Sequence, residues 1–331
     1  MCLDARGREE SIGQSSNTAH TDKVLDVLAG AECENTALAA SWRRSGCLHA
    51  LNPASRAESY RLSAAEIANA QDRLGHLFKL TQSSLDRLFL AVGAVGCSVL
   101  LADKDGVVID RRGARADDRT FEAWGLWTGA VWSEKFEGTN GIGTCIVEKR
   151  PLTIDRDQHF YTRNSRLFCT TAPIFDEHGE LVAALDVSSC RTDLTAGFSH
   201  LIATAVADAT RVIEAENFRQ TFPNARIILA PNSERSINSL LAVDHDDFVV
   251  GATRAARRAL GLSAAALARP IPAADLIGHA PANCDDISAA ERAVLLRALA
   301  RSRGNVSQAA KDLNISRATL HRKINQLGLR H

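Results

Sequence analysis

The spacing of apolar positions along this chain changes from helical to strand-like and back. Residues 21–90 show mainly helical spacing, and a Ser-x-x-Glu capping box predicts a start at Ser63 for one helix or two. Two apolar runs then flank Asp105–Gly106, two more flank residues 176–179, and each pair predicts a β-hairpin. Helical spacing returns over residues 194–218. The central part of the chain is therefore predicted to be α+β.

Two weaker patterns precede the C-terminal part. Apolar runs at residues 240–243 and 248–253 flank a polar turn, and a helical run follows at 254–260. The stretch 264–284 is rich in Ala and Pro, which is typical of a linker. A short helix after two apolar runs, followed by a linker, is predicted here.

Three short helical runs occupy residues 288–331. Ser288 and Glu291 form another capping box, Gly304–Asn305 ends the first run, and Ser316 caps the third. The apolar residues of the third run share one helical face: Leu320, Ile324 and Leu327. This pattern predicts a helix-turn-helix whose third helix presents a polar, basic face to the DNA major groove.

Charge separates this C-terminal stretch from the rest of the chain. The 331 residues include 39 Lys and Arg and 39 Asp and Glu, so the formal net charge is zero. Residues 288–331 hold nine basic residues and two acidic ones, a local net charge of +7. Because Lys and Arg neutralise DNA phosphates, this basic segment supports double-stranded DNA as the partner.

Composition narrows the class of protein further. Hydrophobic residues make up 45% of the chain, enough for buried cores. The first twenty residues lack an apolar signal region, and the longest uncharged run, Leu88–Ala102, is too short for a membrane span. The eight cysteines show no CxxC pair and no zinc-ligand spacing. We therefore expect a cytoplasmic protein with reduced thiols, without a metal site or a membrane segment.

Residues 304–324 resemble the C-terminal helix-turn-helix of the Fis family and of bacterial enhancer-binding activators. The resemblance rests on Gly-Asn-Val-Ser-Gln-Ala-Ala at 304–310 and on Leu-Asn-Ile-Ser-Arg-Ala-Thr-Leu-His-Arg-Lys-Ile at 313–324. It implies a homodimer that binds inverted-repeat sites. The candidate DNA-contacting residues are Ser307, Gln308, Ser316, Arg317, Thr319, His321, Arg322 and Lys323.

A second distinctive run, Trp132–Thr144, is rich in glycine. It lacks the Gly-Lys-Ser/Thr of a phosphate loop and the strand-to-helix context of a dinucleotide site. Together with several other segments it resembles the GAF domain of regulators similar to the acetoin catabolism activator. Those segments are 41–45, 51–53, 150–152, 159–160, 169–174 and 179–188.

The GAF resemblance implies a small-molecule sensor with a lidded pocket above an antiparallel sheet. Three tryptophans could form aromatic walls and four polar residues could orient an effector. These candidates are Trp124, Trp127, Trp132, Asn140, Thr144, His159 and Thr170. The alternative is that the tryptophans belong to the core and that the glycines of the run serve tight turns.

Residues 223–268 resemble the opening of a PAS domain, which implies a spacer or a dimer contact. Activators of the acetoin type normally carry an AAA+ ATPase between the sensor and the helix-turn-helix. No Gly-x-x-x-x-Gly-Lys-Ser/Thr occurs in this sequence, and the stretch between those two regions is too short for such a domain. We therefore expect neither ATP hydrolysis nor direct opening of sigma-54 polymerase.

These patterns predict an α+β fold: a GAF antiparallel sheet flanked by helices, a partial PAS-like segment and an all-α helix-turn-helix. The predicted divisions are a flexible N-terminus (1–20), a helical region (21–80), the GAF sensor (81–215), the PAS-like segment (223–268), a linker (269–287) and the DNA-binding domain (288–331).

We expect a sequence-specific, homodimeric transcriptional regulator that responds to an unidentified small molecule. It is not expected to be an enzyme or to need a cofactor, and RNA polymerase is a further candidate partner. Two alternatives remain open. One is an enzyme resembling GAF-type methionine sulfoxide reductases, with Cys97, Cys145 or Cys169 as nucleophile and resolving thiol. The other is an architectural DNA-bending protein like Fis.

Overall fold

The computed structural model describes residues 18–30, 36–191, 193, 195–231, 238–277 and 287–329. The chain divides into two compact units. The first comprises Met1–Phe175 and Leu181–Ile213, and the second comprises Asp176–Glu180 and Glu214–His331. Most of the predicted flexible N-terminus, 1–20, lies outside the described residues. No helix in the described part of the chain is long and apolar enough to cross a membrane.

Four helices open the first unit: α1 (18–28), α2 (Ala37–Arg43), α3 (Ala64–Leu74) and α4 (His76–Val92). A π-helical turn, Arg44–Leu48, prolongs α2. The predicted capping box at Ser63 is confirmed, because Glu66 and Ser63 each accept a hydrogen bond from the other's backbone N–H. Gly75, with φ of +57°, separates α3 from α4, so the helical spacing belongs to two helices.

The core of the first unit is a five-stranded antiparallel sheet in the order β2-β1-β5-β4-β3. Its strands are β1 (Cys97–Asp103), β2 (Val108–Arg112), β3 (Leu152–Asp155), β4 (Phe168–Phe175) and β5 (Leu181–Ser189). Both predicted hairpins are confirmed, as β1–β2 and β4–β5. Gly106 and Gly179 adopt positive φ in the two turns, +84° and +81°.

Helices cover both faces of this sheet. The helices that follow α4 in the sequence are α5 (Asp118–Ala123), α6 (Glu134–Glu137), α7 (Gly141–Glu148) and α8 (Ala196–Thr221). Val99 and Val187 belong to the core on one face, together with apolar residues of α4 and α8. Leu100 belongs to a separate core with Trp132 and with Ile142 of α7. Because side chains alternate along a strand, neighbouring residues of one strand serve these two different cores.

The second unit begins with a four-stranded antiparallel sheet in the order β6-β7-β8-β9. Its strands are β6 (Arg226–Leu229), β7 (Leu240–Val243), β8 (Phe248–Ala252) and β9 (Ile271–Pro272). Helix α9 (Arg254–Leu260) occupies the predicted helical run; Thr253 caps its start, and Gly261, with φ of +65°, follows its end. Helix α10 spans Ala264–Leu267.

The structure differs from expectation within the segment predicted as a linker, 269–287. Strand β9 pairs with β8, and α11 (Ala273–Ile277) follows directly. Proline suggested a linker, but β9 is an edge strand, where a residue without an N–H is tolerated. The Ala273 N–H donates to the carbonyl of Asp247, which ties this segment to the sheet.

Three helices complete the second unit: α12 (Ile287–Arg301), α13 (Val306–Asp312) and α14 (Arg317–Gln326). They enclose a core that includes Leu295, Ala310, Leu320 and Ile324. Helix α12 begins one residue before the predicted cap, which is the usual scatter of a helix boundary. The predicted order of three helices is observed.

Candidate nucleic-acid interface and sensory site

Helices α13 and α14 are joined by a tight turn that sets the start of α14. Asn314 adopts φ of +53° in this turn. Ser316 Oγ accepts the Thr319 N–H at 3.1 Å and lies 2.8 Å from Thr319 Oγ1. Both hydroxyls are thus engaged in the helix cap. Their main local role is to fix where α14 begins.

The predicted DNA-contacting residues differ in how accessible they are. The exposed members are Ser307, Gln308, Ser316, Arg317 and Arg322. Thr319, His321 and Lys323 are half-buried. Lys323 Nζ pairs with Glu291 of α12, and Gln308 Nε2 donates to Asp312 at 2.8 Å. Arg317 and Arg322 are therefore the exposed cations that α14 can offer to a base or a phosphate.

The basic residues of 288–331 fall into two groups. Four of them form ion pairs within the second unit: Arg292, Arg297, Arg301 and Lys323. Four others are exposed and form no ion pair with any described residue: Arg303, Lys311, Arg317 and Arg322. The ninth, Arg330, lies outside the described residues. The structure thus leaves four described cations available to phosphates.

In the first unit, two motifs that are far apart in sequence meet in a buried polar cluster. Ser41 Oγ of α2 donates to Glu134 Oε1 at 2.5 Å and lies 2.7 Å from Thr139 Oγ1. Arg44 binds the same carboxylate through two nitrogens, Nε to Oε2 at 2.7 Å and Nη2 to Oε1 at 2.9 Å. The hydrogen bond to Glu134 raises the pKa of Arg44. Sequence reasoning assigned no role to Ser41, Arg44 or Glu134.

A second buried polar group lies under α7. Asp186 accepts hydrogen bonds from Thr171 and Ser188, each at 2.5 Å, and burial raises its pKa to about 6. A Cβ on Gly141 would lie 2.6 Å from Thr171 Oγ1 and 3.0 Å from Asp186 Oδ1. Glycine at the start of α7 therefore allows the helix to approach the sheet closely.

The cysteines of the redox alternative are buried. Burial raises the pKa of Cys97 to about 11 and raises the pKa of Cys145 and Cys169 as well. A reactive thiol needs a lowered pKa and solvent access. These three positions have the features of structural cysteines.

The seven predicted effector-contacting residues do not converge on one place. Trp132 is buried and donates its Nε1 to the Gly125 carbonyl at 2.8 Å, and Trp127 stacks against the Arg111 guanidinium. Both tryptophans are thus engaged within the protein. Trp124 is half-buried and lines a surface cleft.

The polar candidates also separate. Asn140 caps α7 by accepting the Gly143 N–H at 2.8 Å, and its own N–H lies 3.3 Å from Thr144 Oγ1. His159 is buried against Arg156, and burial lowers its pKa to about 4. Thr170 Oγ1 lies 2.9 Å from Thr153 Oγ1 on β3. Asn140 and Thr144 are brought together, whereas His159 and Thr170 each contact a different residue.

Two surface clefts of the first unit have the size of a small-molecule site. One encloses about 620 Å³ and includes Arg56, Arg61, Trp124 and Asn164 in its walls. The other, about 760 Å³, shares Arg56 and Arg163 with the first. The described residues that line the second include no carboxylate; hydroxyls come from Thr18, Thr21, Ser55 and Thr162. Among the described residues, no group of His, Cys, Asp and Glu is placed to hold a metal ion.

Two family models match different parts of the chain. A GAF domain model matches residues 77–212, which include the five-stranded sheet. A model described as bacterial regulatory protein, Fis family, matches residues 287–327, which include α12, α13 and α14. The two regions predicted from sequence motifs are thus a GAF domain and a Fis-type helix-turn-helix.

Several known proteins are similar to the chain. The acetoin catabolism regulatory protein of Cupriavidus necator is 31% identical over 261 residues, covering 77% of this chain and 39% of that protein. The acetoin dehydrogenase operon transcriptional activator AcoR of Bacillus subtilis is 32% identical over 115 residues, covering 34% of this chain and 19% of that protein. The crystal structure of the E. coli DhaR(N)–DhaL complex matches with a TM-score of 0.49 and 17% identity, over 70% of this chain and 78% of that chain.

The chain spans 39% of the length of the Cupriavidus relative. The Cupriavidus and Bacillus relatives are named as a regulatory protein and a transcriptional activator. The chain belongs to the family of transcriptional regulators that combine a GAF domain with a Fis-type helix-turn-helix, and it is homologous to the acetoin catabolism regulatory protein over 77% of its length.

Proposed function

We propose that the chain regulates transcription in the cytoplasm as a homodimer that binds inverted-repeat DNA sites through α13 and α14. The observation that carries this proposal is the start of α14, where Ser316 fixes the helix and Arg317 is exposed without an ion pair to any described residue. An arginine at the start of a recognition helix can bind a base edge through two nitrogens. Ser307 and Gln308, exposed on α13, would contact phosphates.

The test is Arg317→Ala in the full chain, and the control is Arg219→Ala at an exposed position of α8. Loss of a base-reading arginine should weaken binding to the selected site by about 1–3 kcal/mol while binding to random DNA changes little. Fluorescence anisotropy with both duplexes measures the two affinities. An equal loss on both duplexes would assign Arg317 to the phosphates, and no loss on either would remove it from the interface.

We also propose that the GAF domain binds a small-molecule effector and that effector binding alters the geometry of the dimer. The two clefts that share Arg56 support this proposal, because their volumes suit small ligands and the side chain of Arg56 forms no ion pair with any described residue. Trp124 supplies an aromatic wall in one of them. RNA polymerase is proposed as a second macromolecular partner.

Because the Cupriavidus relative is named as a regulator of acetoin catabolism, acetoin is the first probe for the two clefts that share Arg56. Isothermal titration with acetoin, and then with small hydroxyketones and carboxylates, tests the proposal on the full chain. Arg56→Ala should abolish the heat of a ligand that binds there, whereas Arg219→Ala should not. A ligand whose affinity ignores Arg56 would place the effector elsewhere in the domain.

A further inference from the structure

Helix α12 is held against the small sheet of the second unit by a two-pronged ion pair. Arg292 Nε lies 2.9 Å from Asp246 Oδ1, and its Nη2 lies 3.2 Å from Asp246 Oδ2. The remaining nitrogen, Nη1, donates to the Leu327 carbonyl at 3.2 Å, just beyond α14. The hydrogen bond from Arg292 lowers the pKa of Asp246. One guanidinium therefore connects the sheet, α12 and the end of α14.

Two further arginines of α12 face aspartates of the same sheet region. Arg301 Nε lies 3.0 Å from Asp275 Oδ2 of α11, and its Nη2 pairs with the other oxygen. Arg297 Nη1 lies 3.7 Å from Asp247 Oδ2, and the Arg297 side chain is only 12% exposed. Because Arg297 is almost buried, it depends on a nearby carboxylate. We call the three aspartates, Asp246, Asp247 and Asp275, the acidic latch.

The turn between β7 and β8 presents two of these carboxylates. Asp244 Oδ1 accepts the N–H groups of Asp246 at 3.0 Å and of Phe248 at 2.9 Å. This capped turn places Asp247 at φ of +67°. The positions of the carboxylates are thus set by the sheet itself, independently of α12.

We infer that the acidic latch competes with DNA phosphates for the arginines of α12 and so limits non-specific DNA binding. A carboxylate pair and a phosphate contact use the same guanidinium nitrogens, so an arginine held by the latch releases no counterion from DNA. The inference rests on the proposed DNA binding, because it concerns the strength of that binding. Arg301 lies at the end of α12, two residues before the unpaired Arg303.

The latch should make DNA affinity less dependent on salt concentration. Each phosphate contact adds about 0.9 to the slope of log affinity against log salt. With Arg317 assigned to a base, the unpaired cations Arg303, Lys311 and Arg322 give about 2.7 per protomer. Release of the accessible arginines held by the latch would add up to about 2.7. These are Arg292 and Arg301 of α12, together with Arg226 of β6, which also pairs with Asp247 at 2.9 Å. Between 50 and 200 mM salt, the contribution of each protomer to wild-type affinity should then fall about 40-fold, and in a latch-free variant up to about 40-fold further.

The experiment compares the full chain with the triple variant Asp246→Asn, Asp247→Asn, Asp275→Asn. The matched control is Asp86→Asn, Asp193→Asn, Asp208→Asn, which also removes three negative charges that pair with arginines, all in the first unit. Anisotropy with a random-sequence duplex gives the affinity at several KCl concentrations. We expect tighter binding at low salt and a steeper slope for the latch variant only.

Equal slopes for the latch variant and wild type would overturn the latch and leave the DNA-binding proposal intact. Absence of DNA binding by wild type at low salt would overturn both. If the triple variant loses its helical circular dichroism, Asp275→Asn replaces it, because Asp275 is the most exposed latch residue. That single variant should steepen the slope by about 0.9, and an unchanged slope would overturn the inference.

Discussion

The buried pair between Arg44 and Glu134 gives the sharpest test of how the N-terminal helices join the GAF domain. The Glu134 side chain is 2% exposed and that of Arg44 is 25% exposed. Removal of one partner from a buried pair costs about 3–5 kcal/mol. Because Arg44 is partly hydrated and Ser41 still donates to Glu134 in its absence, we expect the lower limit, about 3 kcal/mol, for Arg44→Ala.

The free energy of unfolding of the first unit can be measured by tryptophan fluorescence. All four tryptophans lie in the first unit, so urea unfolding followed by tryptophan fluorescence reports on that unit. A loss of about 3 kcal/mol should also lower the melting temperature by about 6–12 °C in a domain of this size. The control is Arg61→Ala, whose exposed partner Glu122 lies 4.0 Å away and whose loss should cost under about 1 kcal/mol.

Arg44 Nη2 also lies 3.0 Å from Glu148 Oε1. A double-mutant cycle separates the Arg44–Glu134 pair from this second pair and from the packing of the arginine. Glu134→Gln removes the charge of the carboxylate, so Arg44→Ala in that background should cost clearly less than in wild type. A loss of stability in the single Arg44→Ala variant no larger than that in Arg61→Ala would contradict this expectation. It would mean that the buried contact does not hold α2 to the GAF domain.

Two other perturbations act under α7. The raised pKa of Asp186 means that the folded state retains a proton that the unfolded state releases between pH 4 and 6, so stability falls as pH rises through this window. Asp186→Asn should remove this fall, which amounts to about 3 kcal/mol in the free energy of unfolding measured with urea. A variant whose stability changes with pH in the same way as that of wild type would contradict this expectation. Gly141→Ala should lower the free energy of unfolding by about 1–3 kcal/mol, whereas Gly197→Ala, with open space at its Cβ, should not. Equal effects of the two substitutions would mean that Gly141 is not needed for the close approach of α7 to the sheet.

Local signals in the sequence predicted many element boundaries. Asp105–Gly106 and the turn at Gly179 lie where the two hairpins reverse, because positive φ favours glycine there. Thr253 and Gly261 bracket α9 for similar reasons. Each of these features depends on residues that lie within one turn of each other, so it can be recognised in the sequence.

Contacts between distant segments could not be predicted in the same way. Ser41 and Glu134 are 93 residues apart, and no spacing rule brings a helix before the sheet to a turn after it. Likewise, the count of basic residues in 288–331 did not show that Arg292, Arg297 and Arg301 are paired. Only the folded arrangement distinguishes a cation available to DNA from one that is already bound.

The proposed function depends above all on the recognition of DNA sequence by α14. The most direct measurement is selection of bound duplexes from a random library with the purified full chain at physiological salt. We expect one inverted-repeat consensus, which is weakened or relaxed at specific positions in the Arg317→Ala variant. Binding without a consensus that disappears as salt rises would contradict it, because only a non-specific basic surface would then remain.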